Sequence, residues 1–431
     1  MHIYFSAIGG AGIGPLALIA HQAGFEVSGS DKQDSRAIEY LEKQGIENIH
    51  IGQSEAQIAK VHKESPIDWL VYSSAVSLEN PDSEELLFCR QHGIKSTKRD
   101  QFLNYLITER NLKLIAVAGT HGKSTTTAMI IWLFKQLGIP ISYSLGAKIG
   151  FGESGFYDDN SQYFIYEADE FDKNFLNFNP FLSIISGVSW DHHEIFKTRD
   201  EYKQAFNQFL DQSDKSIMFS EDLNYLNLKI DQKISLVDQD NIDEIKLLGK
   251  YNRQDALLAV EAIKQVTDFD FQKIIVQINK FPGLERRMEE IIPGLYSDYA
   301  HTPEKIKAAI NVASEMAKIK NQSIYVIYEP LTNRRQHFIK DQYSDSFDGA
   351  KHVYWLPSYL AREDPNLSIL EPGELIALLP DPSIASPADM NQSLIEIINK
   401  HLGQGAMVLA LNGGGGGGLD EWLRTNFNKK H

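Results

Sequence analysis

Residues 114–125 read Leu-Ile-Ala-Val-Ala-Gly-Thr-His-Gly-Lys-Ser-Thr, and this stretch decides the fold class. Five apolar residues are typical of a buried strand, and Lys123 and Ser124 open a helical pattern that continues to Lys135. The glycines between them let backbone N–H groups turn towards phosphate oxygens. The lysine brings charge to the phosphates, and the serine hydroxyl can ligate Mg²⁺. The stretch predicts a nucleotide phosphate loop that binds ATP.

The loop is a shortened form, because Val117 stands where the long form has a glycine. A Gly-Lys-Ser turn that merely starts a helix is the alternative interpretation.

Short apolar runs followed by turns and helical patterns recur on both sides of this loop, which predicts α/β architecture with parallel sheets. The runs are residues 3–8, 69–72, 114–117, 183–185, 324–327 and 407–410. The alternation restarts twice, and 431 residues exceed one ordinary core. We therefore predict three domains, at residues 1–107, 108–281 and 282–431.

Charged and polar residues follow two strands of the predicted central domain. The run Tyr163–Glu170 ends in three carboxylates, and Asp191-His192-His193 follow the strand Leu182–Ile185. Ligands of open α/β sheets bind beyond the carboxyl ends of the strands. Glu167 and His192 are thus expected to face the nucleotide and hold Mg²⁺. The alternative is that each cluster is only a solvated strand end.

The composition excludes several classes of protein. A net charge of −16 without a basic block argues against nucleic acid as a partner. The one cysteine, Cys89, cannot form an internal disulfide. No leader pattern precedes the first strand, and no apolar run approaches the roughly 18 residues of a membrane helix. We expect a cytoplasmic protein without a membrane partner.

A glycine turn at residues 8–14 follows the first strand, and Asp31 ends the second. Read by itself, this is a dinucleotide fingerprint, which leaves open a nicotinamide-dependent oxidoreductase. The same helix N-terminus and free N–H groups can bind any nucleotide diphosphate.

Several motifs, taken together, resemble the Mur ligase family in order and spacing. They are Gly119–Thr127, Glu167–Glu170, Asp191-His192, Gly249–Asn252, Gly283–Arg287 and Asp298–Pro303. The resemblance implies an ATP-dependent enzyme that forms amide bonds in peptidoglycan synthesis. It also implies a Rossmann-like N-terminal domain for the UDP-sugar, a central P-loop ATPase domain and a Rossmann-like C-terminal domain for the amine substrate.

The resemblance further implies a role for individual residues. Catalytic residues would be Lys123, Glu167, His192 and His301, and metal ligands would be Ser124, Glu167 and His192. ATP would be bound by Gly119, Thr120, His121, Gly122, Lys123, Ser124, Thr125, Asn252, Arg287 and Asp298. The UDP-sugar would be bound by Gly9, Gly10, Ala11, Gly12, Ile13, Gly14, Asp31 and Ser73. The amine substrate would be bound by Tyr299, Arg334 and Arg335.

Three positions depart from the family pattern. Tyr251 replaces a common histidine and Asp255 a common asparagine, on the adenine side. Asn207 stands where several members carry a carbamylated lysine, which the alanine-adding branch also lacks.

The glycine turn and the short interval between Glu167 and His192 favour the branch that adds L-alanine to UDP-N-acetylmuramate. The run Trp190–Phe196, the segment Arg286–Glu289 and Asn412 with its glycines favour the branch that recycles murein tripeptide onto the same acceptor. The expected state is a monomer or weak dimer.

Other interpretations stay open. ATP could control domain closure in a non-catalytic switch. Arg334 and Arg335 could form a solvated basic turn, and the glycines before Leu419 could be a flexible turn rather than a close approach to a ligand.

Overall fold

The structure is a computed structural model, and it describes residues 1–73, 76, 80–192, 195–360, 366–413 and 418–427. The chain divides into two compact units. The first contains Met1–Ile245 and Gln254–Phe281, and the second contains Lys246–Arg253 and Pro282–His431. The three predicted domain ranges stay predictions.

The first sheet of the first unit is parallel, with five strands among the described residues in the order β3-β2-β1-β4-β5. Its strands are β1 (His2–Ser6), β2 (Glu26–Asp31), β3 (Ile49–Ile51), β4 (Trp69–Tyr72) and β5 (Lys95–Lys98). Its helices are α1 (Gly14–Gln22), α2 (Arg36–Lys43), α3 (Glu55–Glu64), α4 (Glu84–Gln91) and α5 (Arg99–Glu109). This order is that of a Rossmann-like sheet, with its reversal beside β1.

The second sheet of this unit has the order β12-β11-β10-β6-β9-β7-β8 within the described part of the chain. Its strands are β6 (Lys113–Ala118), β7 (Ile141–Ser144), β8 (Gly155–Phe156), β9 (Tyr163–Glu167), β10 (Leu182–Ile185), β11 (Lys215–Met218) and β12 (Ile234–Leu236). Its helices are α6 (Lys123–Gln136), α7 (Arg199–Asp211), α8 (Ser220–Tyr225), α9 (Lys250–Val266) and α10 (Phe271–Ile278). Only the β7–β8 pair is antiparallel among the strand pairs described in this sheet.

One apolar core serves both sheets of the first unit. It joins Phe5 of β1 and Phe102 of α5 to Phe164 of β9 and to Phe175, which follows β9, and all four are fully buried. This shared burial explains why residues 1–245 form one compact unit, because apolar area removed from water on both sides stabilises their contact.

The second unit contains a mixed sheet in the order β13-β14-β18-β15-β16-β17 among the described residues. Its strands are β13 (Glu289–Ile292), β14 (Leu295–Asp298), β15 (Ile324–Tyr328), β16 (His352–Trp355), β17 (Ala385–Pro387) and β18 (Met407–Leu411). Its helices are α11 (Pro303–Lys320), α12 (Asn333–Ile339), α13 (Pro372–Ile376), α14 (Gln392–Gly403) and α15 (Leu419–Phe427). The pairs are parallel except β13–β14.

The predicted fold class is confirmed: an α/β chain whose sheets are Rossmann-like at both ends and carry a P-loop strand and helix between them. In the described part of the chain, no helix combines the length and apolar character needed to cross a membrane.

Candidate active site

The phosphate loop connects β6, whose residues Leu114–Ala118 are buried, to the start of α6. Gly119 and Gly122 have φ values of 149° and 75°, where only glycine is unstrained. A Cβ on Gly122 would lie 2.5 Å from Oδ1 of Asp255. No side chain caps the helix, so its first-turn N–H groups can bind phosphate oxygens.

Lys123 points back across this loop. Its Nζ donates to the carbonyl oxygen of Gly119 at 2.6 Å and to Oε2 of Glu170 at 2.8 Å. Burial acts to lower the pKa of Lys123, but the carboxylates of Glu170, Asp169 and Glu167 outweigh it, and the pKa is raised. The side chain is therefore a fixed positive charge in the loop.

Ser124, next in the helix, donates from Oγ to Oε1 of Glu167 at 2.7 Å. The other carboxylate oxygen, Oε2, accepts from the backbone N–H of Gly146 at 2.8 Å. Ser124 and Glu167, two of the three predicted metal ligands, are thus brought together, and Thr125 continues the same helical turn.

The other loop residues are held by the segment that follows β10. The backbone N–H of Thr120 donates to the carbonyl oxygen of Gly187 at 2.7 Å, and its hydroxyl donates to that of Ser189 at 2.6 Å. The ring Nε2 of His121 lies 2.8 Å from Oγ of Ser189. These contacts fix the loop on the segment that leads to His192.

His192 lies beside Glu170 rather than in the Ser124–Glu167 pair. Its Nε2 is 3.6 Å from Oε1 of Glu170, and Asp169, Glu170 and His192 offer ligand atoms within 4.8 Å of one another. Tyr202 donates from its hydroxyl to Oε1 of Glu170 at 3.3 Å. Two carboxylates and one imidazole are a donor set that fits a divalent cation.

Two departures noted in the sequence have clear positions. Asp255 lies under the phosphate loop, against the space a Cβ on Gly122 would fill. Asn207 donates from Nδ2 to the carbonyl oxygen of Leu226 at 3.4 Å.

The glycine turn of the first sheet runs from β1 into α1. The N–H of Gly9 donates to Oδ2 of Asp31 at 2.8 Å, and that of Gly10 donates to the carbonyl oxygen of Ala7 at 3.0 Å. The N–H of Gly14 donates to the carbonyl oxygen of Gly10 at 2.9 Å. The N–H of Ile13 also donates to the carbonyl oxygen of Gly10, at 3.0 Å, with Ala11 and Gly12 between them. Asp31 is thus a bonded part of the turn.

Ser73 directly follows β4, at the same carboxyl edge as the glycine turn, and its carbonyl oxygen accepts from the N–H of Val76 at 3.1 Å. Its sequence neighbours Ser74 and Ala75 lie outside the described residues.

A cavity of about 270 Å³ joins the two sites of the first unit. One wall carries Ala11, Gly12 and Arg99 from the first sheet, and the other carries Lys123, Glu167 and Asp169 from the second. The predicted UDP-sugar turn and the predicted phosphate lysine therefore open into the same space.

Four predicted residues of the second unit lie around the end of β14. Oδ2 of Asp298 accepts from the N–H of Met288 at 2.9 Å, and burial raises the pKa of Asp298 to about 6. Arg287 donates from Nη1 to the carbonyl oxygen of Tyr299 at 3.0 Å. The ring of Tyr299 lies 4.8 Å from that of His301. Burial, with nearby basic residues, holds the pKa of His301 well below its usual value.

The remaining predicted residues of this unit lie at helix starts. Asn252 lies in the first turn of α9, whose residues up to Arg253 are counted in the second unit, and it donates from Nδ2 to the carbonyl oxygen of Leu248 at 2.8 Å. Arg334 and Arg335 lie in the first turn of α12. His193 and glycines 414–417 lie outside the described residues.

The sequence assigned no role to four residues that the structure places at these sites. Glu170, Tyr202, Asp255 and Arg99 contact the loop, the acidic cluster or the cavity. Glu170 lay within the quoted Glu167–Glu170 motif, and Asp255 was noted only as a departure from the family pattern, whereas no motif pointed to Tyr202 or Arg99.

Two family models match the chain. "Mur ligase family, catalytic domain" matches residues 2–111, and "Mur ligase middle domain" matches residues 117–236. Together they cover more than half of the sequence.

Relatives and solved structures agree with these matches. A UDP-N-acetylmuramate--L-alanine ligase from Caldicellulosiruptor bescii is 30% identical, over 84% of each chain. One from Thermosynechococcus vestitus is 29% identical, over 90% of this chain and 84% of its own.

Two solved structures share the fold. A UDP-N-acetylmuramate-alanine ligase from Thermotoga maritima has a TM-score of 0.72 at 21% identity, covering 96% of both chains. A murein peptide ligase from Psychrobacter arcticus has a TM-score of 0.64 at 23% identity, also covering 96% of both. The family models and the 30% identical relative show that this chain belongs to the Mur ligase family.

Proposed function

We propose that this chain, an ATP-dependent ligase, joins L-alanine to the lactyl carboxylate of UDP-N-acetylmuramate in peptidoglycan synthesis. Relatives named for this reaction match most of the sequence at about 30% identity. The observation that carries the proposal is the cavity that Gly12 and Lys123 both line, because it brings a diphosphate-type turn and a phosphate loop to one space.

The reaction needs ATP because an amine cannot displace an oxygen from a free carboxylate, since that oxygen is too poor a leaving group. In the first step a carboxylate oxygen attacks the γ-phosphorus, ADP leaves, and an acyl phosphate forms. In the second step the amine nitrogen attacks the acyl carbon, loses a proton, and expels phosphate that carries the former carboxylate oxygen. Two anions meet in the first step, so catalysis depends on charge neutralisation and alignment.

The phosphate loop supplies the fixed part of that neutralisation. Lys123 carries its charge beside the Gly119 carbonyl, and the uncapped N–H groups of α6 add partial positive charge. Both groups lie at the start of α6, which suits them to bind the β and γ phosphates of ATP.

Two sets of residues fit Mg²⁺. Ser124 and Glu167 form one set, and Asp169, Glu170 and His192 form the other. When bound, the cation would neutralise charge between the phosphate and carboxylate oxygens. Glu167 is proposed as a Mg²⁺ ligand together with Ser124, which it contacts. His192 is proposed as a ligand together with Glu170, which lies beside it.

The proposal assigns the UDP-sugar and ATP to the carboxyl edges of different sheets in the first unit. In this proposal residues 1–107 bind the UDP-sugar, with its diphosphate at Gly9–Gly14 and further contacts from Asp31 and Ser73. Residues 108–281 bind ATP.

Residues 282–431 bind the amine. Arg287 and Asp298, with Asn252, would contact the nucleotide, and Tyr299 and His301 would lie near the amine. A guanidinium of Arg334 or Arg335 suits the carboxylate of the amino acid, because its two N–H groups match two carboxylate oxygens.

The alternative function is addition of murein tripeptide to the same acceptor. It is favoured by Trp190–Phe196 and Arg286–Glu289, and it uses the same phosphoryl chemistry. The two functions differ only in the amine.

An isotope experiment tests the acyl-phosphate route. UDP-N-acetylmuramate labelled with ¹⁸O in its carboxylate should transfer one labelled oxygen to the released phosphate in each turnover. The control is an incubation without the amine, in which free phosphate should gain no label. Unlabelled phosphate alongside amide product would contradict the route.

A further inference from the structure

Arg99 is the first residue of α5 and directly follows β5, so it lies at the carboxyl edge of the first sheet. Its side chain is 25% exposed and lines the cavity shared with Lys123. No motif of the sequence pointed to it.

The side chain of Arg99 packs against Gly12. A Cβ at residue 12 would overlap Nη1 of Arg99, and the next nearest atom, Cζ, would lie at 3.1 Å. The guanidinium thus rests on the backbone of the glycine turn. Gly12 does not have the positive φ of Gly119 or Gly122, so space for Arg99 is the structural reason for glycine here.

The acidic neighbours of Arg99 hold it only loosely. Its Nε is 3.6 Å from Oδ2 of Asp100, and its Nη2 is 4.0 Å from Oδ2 of Asp169. Charge-assisted hydrogen bonds are shorter, about 2.7–2.9 Å. Asp100 is buried and takes its short bond from the hydroxyl of Tyr166, at 2.8 Å. The fork of N–H donors on Arg99 therefore keeps capacity for a further anion.

The other wall of the cavity carries Lys123 together with the carboxylates of Glu167 and Asp169. Asp169 precedes Glu170, which bonds Lys123, so Arg99 and the phosphate lysine face neighbouring carboxylates of one acidic segment. At about 270 Å³, the cavity is smaller than the roughly 300–1,000 Å³ typical of whole-ligand pockets. A cavity of this size has room for the carboxylate-bearing end of a substrate.

We propose that Arg99 is a substrate-binding residue whose guanidinium holds the lactyl carboxylate of the UDP-sugar in the cavity between Gly12 and Lys123. The inference rests on the proposed function, which supplies the acceptor. Arg99 exchanges its loose contact with Asp169 for a paired contact with the substrate carboxylate, since a planar guanidinium matches two carboxylate oxygens.

The test compares two UDP-sugars that share the diphosphate and differ in the carboxylate. Calorimetry measures binding of UDP-N-acetylmuramate and of UDP-N-acetylglucosamine to the full chain and to Arg99→Gln. Loss of a charged pair should weaken UDP-N-acetylmuramate binding by about tenfold or more. Binding of UDP-N-acetylglucosamine should change by less than about twofold, because it lacks the carboxylate.

Two further variants make the test specific. Arg90→Gln removes an exposed arginine of α4 that pairs with Asp82, and it should bind both sugars as the unchanged chain does. Arg99→Lys keeps the charge without the fork and should give an intermediate affinity for UDP-N-acetylmuramate. It also carries the test if Arg99→Gln fails to fold.

The outcomes separate the two proposals. Equal weakening of both sugars, weakening of UDP-N-acetylglucosamine alone, or unchanged binding of both would overturn the role of Arg99. Failure of the unchanged chain to bind UDP-N-acetylmuramate would instead overturn the proposed function, and the role of Arg99 with it.

Discussion

Nζ of Lys123 lies 2.8 Å from Oε2 of Glu170, which is fully buried. The cation of the phosphate loop therefore already has an anionic partner, and phosphate oxygens must compete with Glu170 for it. Glu170 also contacts His192 and Tyr202. A movement of Glu170 away from Lys123 would therefore also change the geometry of the candidate cation site.

Replacing Lys123 should reduce both activity and stability. Lys123→Met removes the charge that faces ATP, and we expect kcat/KM to fall by about 10²–10³-fold or more. It also leaves Glu170 buried without its cation, which should lower the free energy of unfolding by about 3–5 kcal/mol. Phosphate release and urea unfolding measure the two effects.

The double variant Lys123→Met, Glu170→Gln is the control for that prediction. It should recover much of the stability without recovering activity, because no buried carboxylate is left unpaired. Additive losses of stability in the two single variants would show that the two side chains do not depend on each other.

Gly122 should tolerate no side chain. In Gly122→Ala the new methyl group meets Asp255 in a backbone conformation with φ of 75°, so we expect lower stability and a raised KM for ATP. Gly138→Ala is the matched control, since its φ is 71° and no atom lies within 4 Å of its Cβ position. The control should cost about 1 kcal/mol of unfolding free energy and leave the KM for ATP unchanged. Equal effects at the two positions would contradict the contact with Asp255.

Both acidic positions should affect the use of Mg²⁺. Glu167 bonds Ser124, and Glu170 meets His192, so Glu167→Gln and Glu170→Gln should each raise the Mg²⁺ concentration that gives half-maximal phosphate release. Glu47→Gln, at an exposed position, should have no effect. An unchanged Mg²⁺ requirement in either variant would remove that residue from the proposed cation sites.

Asp222 should give the stability a measurable pH dependence. Its Oδ1 accepts from the N–H of Val188 at 2.8 Å, and burial raises its pKa from 3.8 to about 6. The folded chain holds this proton more tightly than the unfolded chain. Raising the pH from about 4 to 6 should therefore lower the free energy of unfolding, by about 3 kcal/mol at most.

Asp222→Asn isolates this effect, because the amide does not titrate. The stability of the variant relative to the unchanged chain should rise across that pH interval in urea unfolding experiments. A difference that stays constant with pH would show that Asp222 does not titrate as described.

The phosphate loop was predictable because its chemistry lies in consecutive residues. An apolar strand, glycines and Lys-Ser specify β6, the loop and α6 without reference to the rest of the chain. The same holds for the glycine turn before α1, whose bond from Gly9 to Asp31 joins two strand ends in a parallel sheet.

The acidic cluster was less predictable, because its geometry depends on a turn. The strand pattern ends at Glu167, and the direction of Glu170 is set by the following segment, in which Asp172 and Lys173 have φ values of 55° and 56°. Non-glycine residues in this conformation leave little trace in a sequence. We consequently predicted from the sequence that His192 and Glu167 act together, whereas the structure places His192 beside Glu170.

Arg99 could not be found from the sequence for a different reason. Its neighbours Gly12 and Asp169 are distant in the chain and come from different sheets. Only the packing of the two sheets on a shared core brings them to one cavity.

The measurement that tests the central claim most directly is phosphate release from ATP with UDP-N-acetylmuramate and a chosen amine. The account predicts release that requires both the acceptor and L-alanine, with an amide product in equal amount. Release with the murein tripeptide but not with L-alanine would contradict the choice of amine. No release with either amine, or release that needs no acceptor, would contradict the ligase itself.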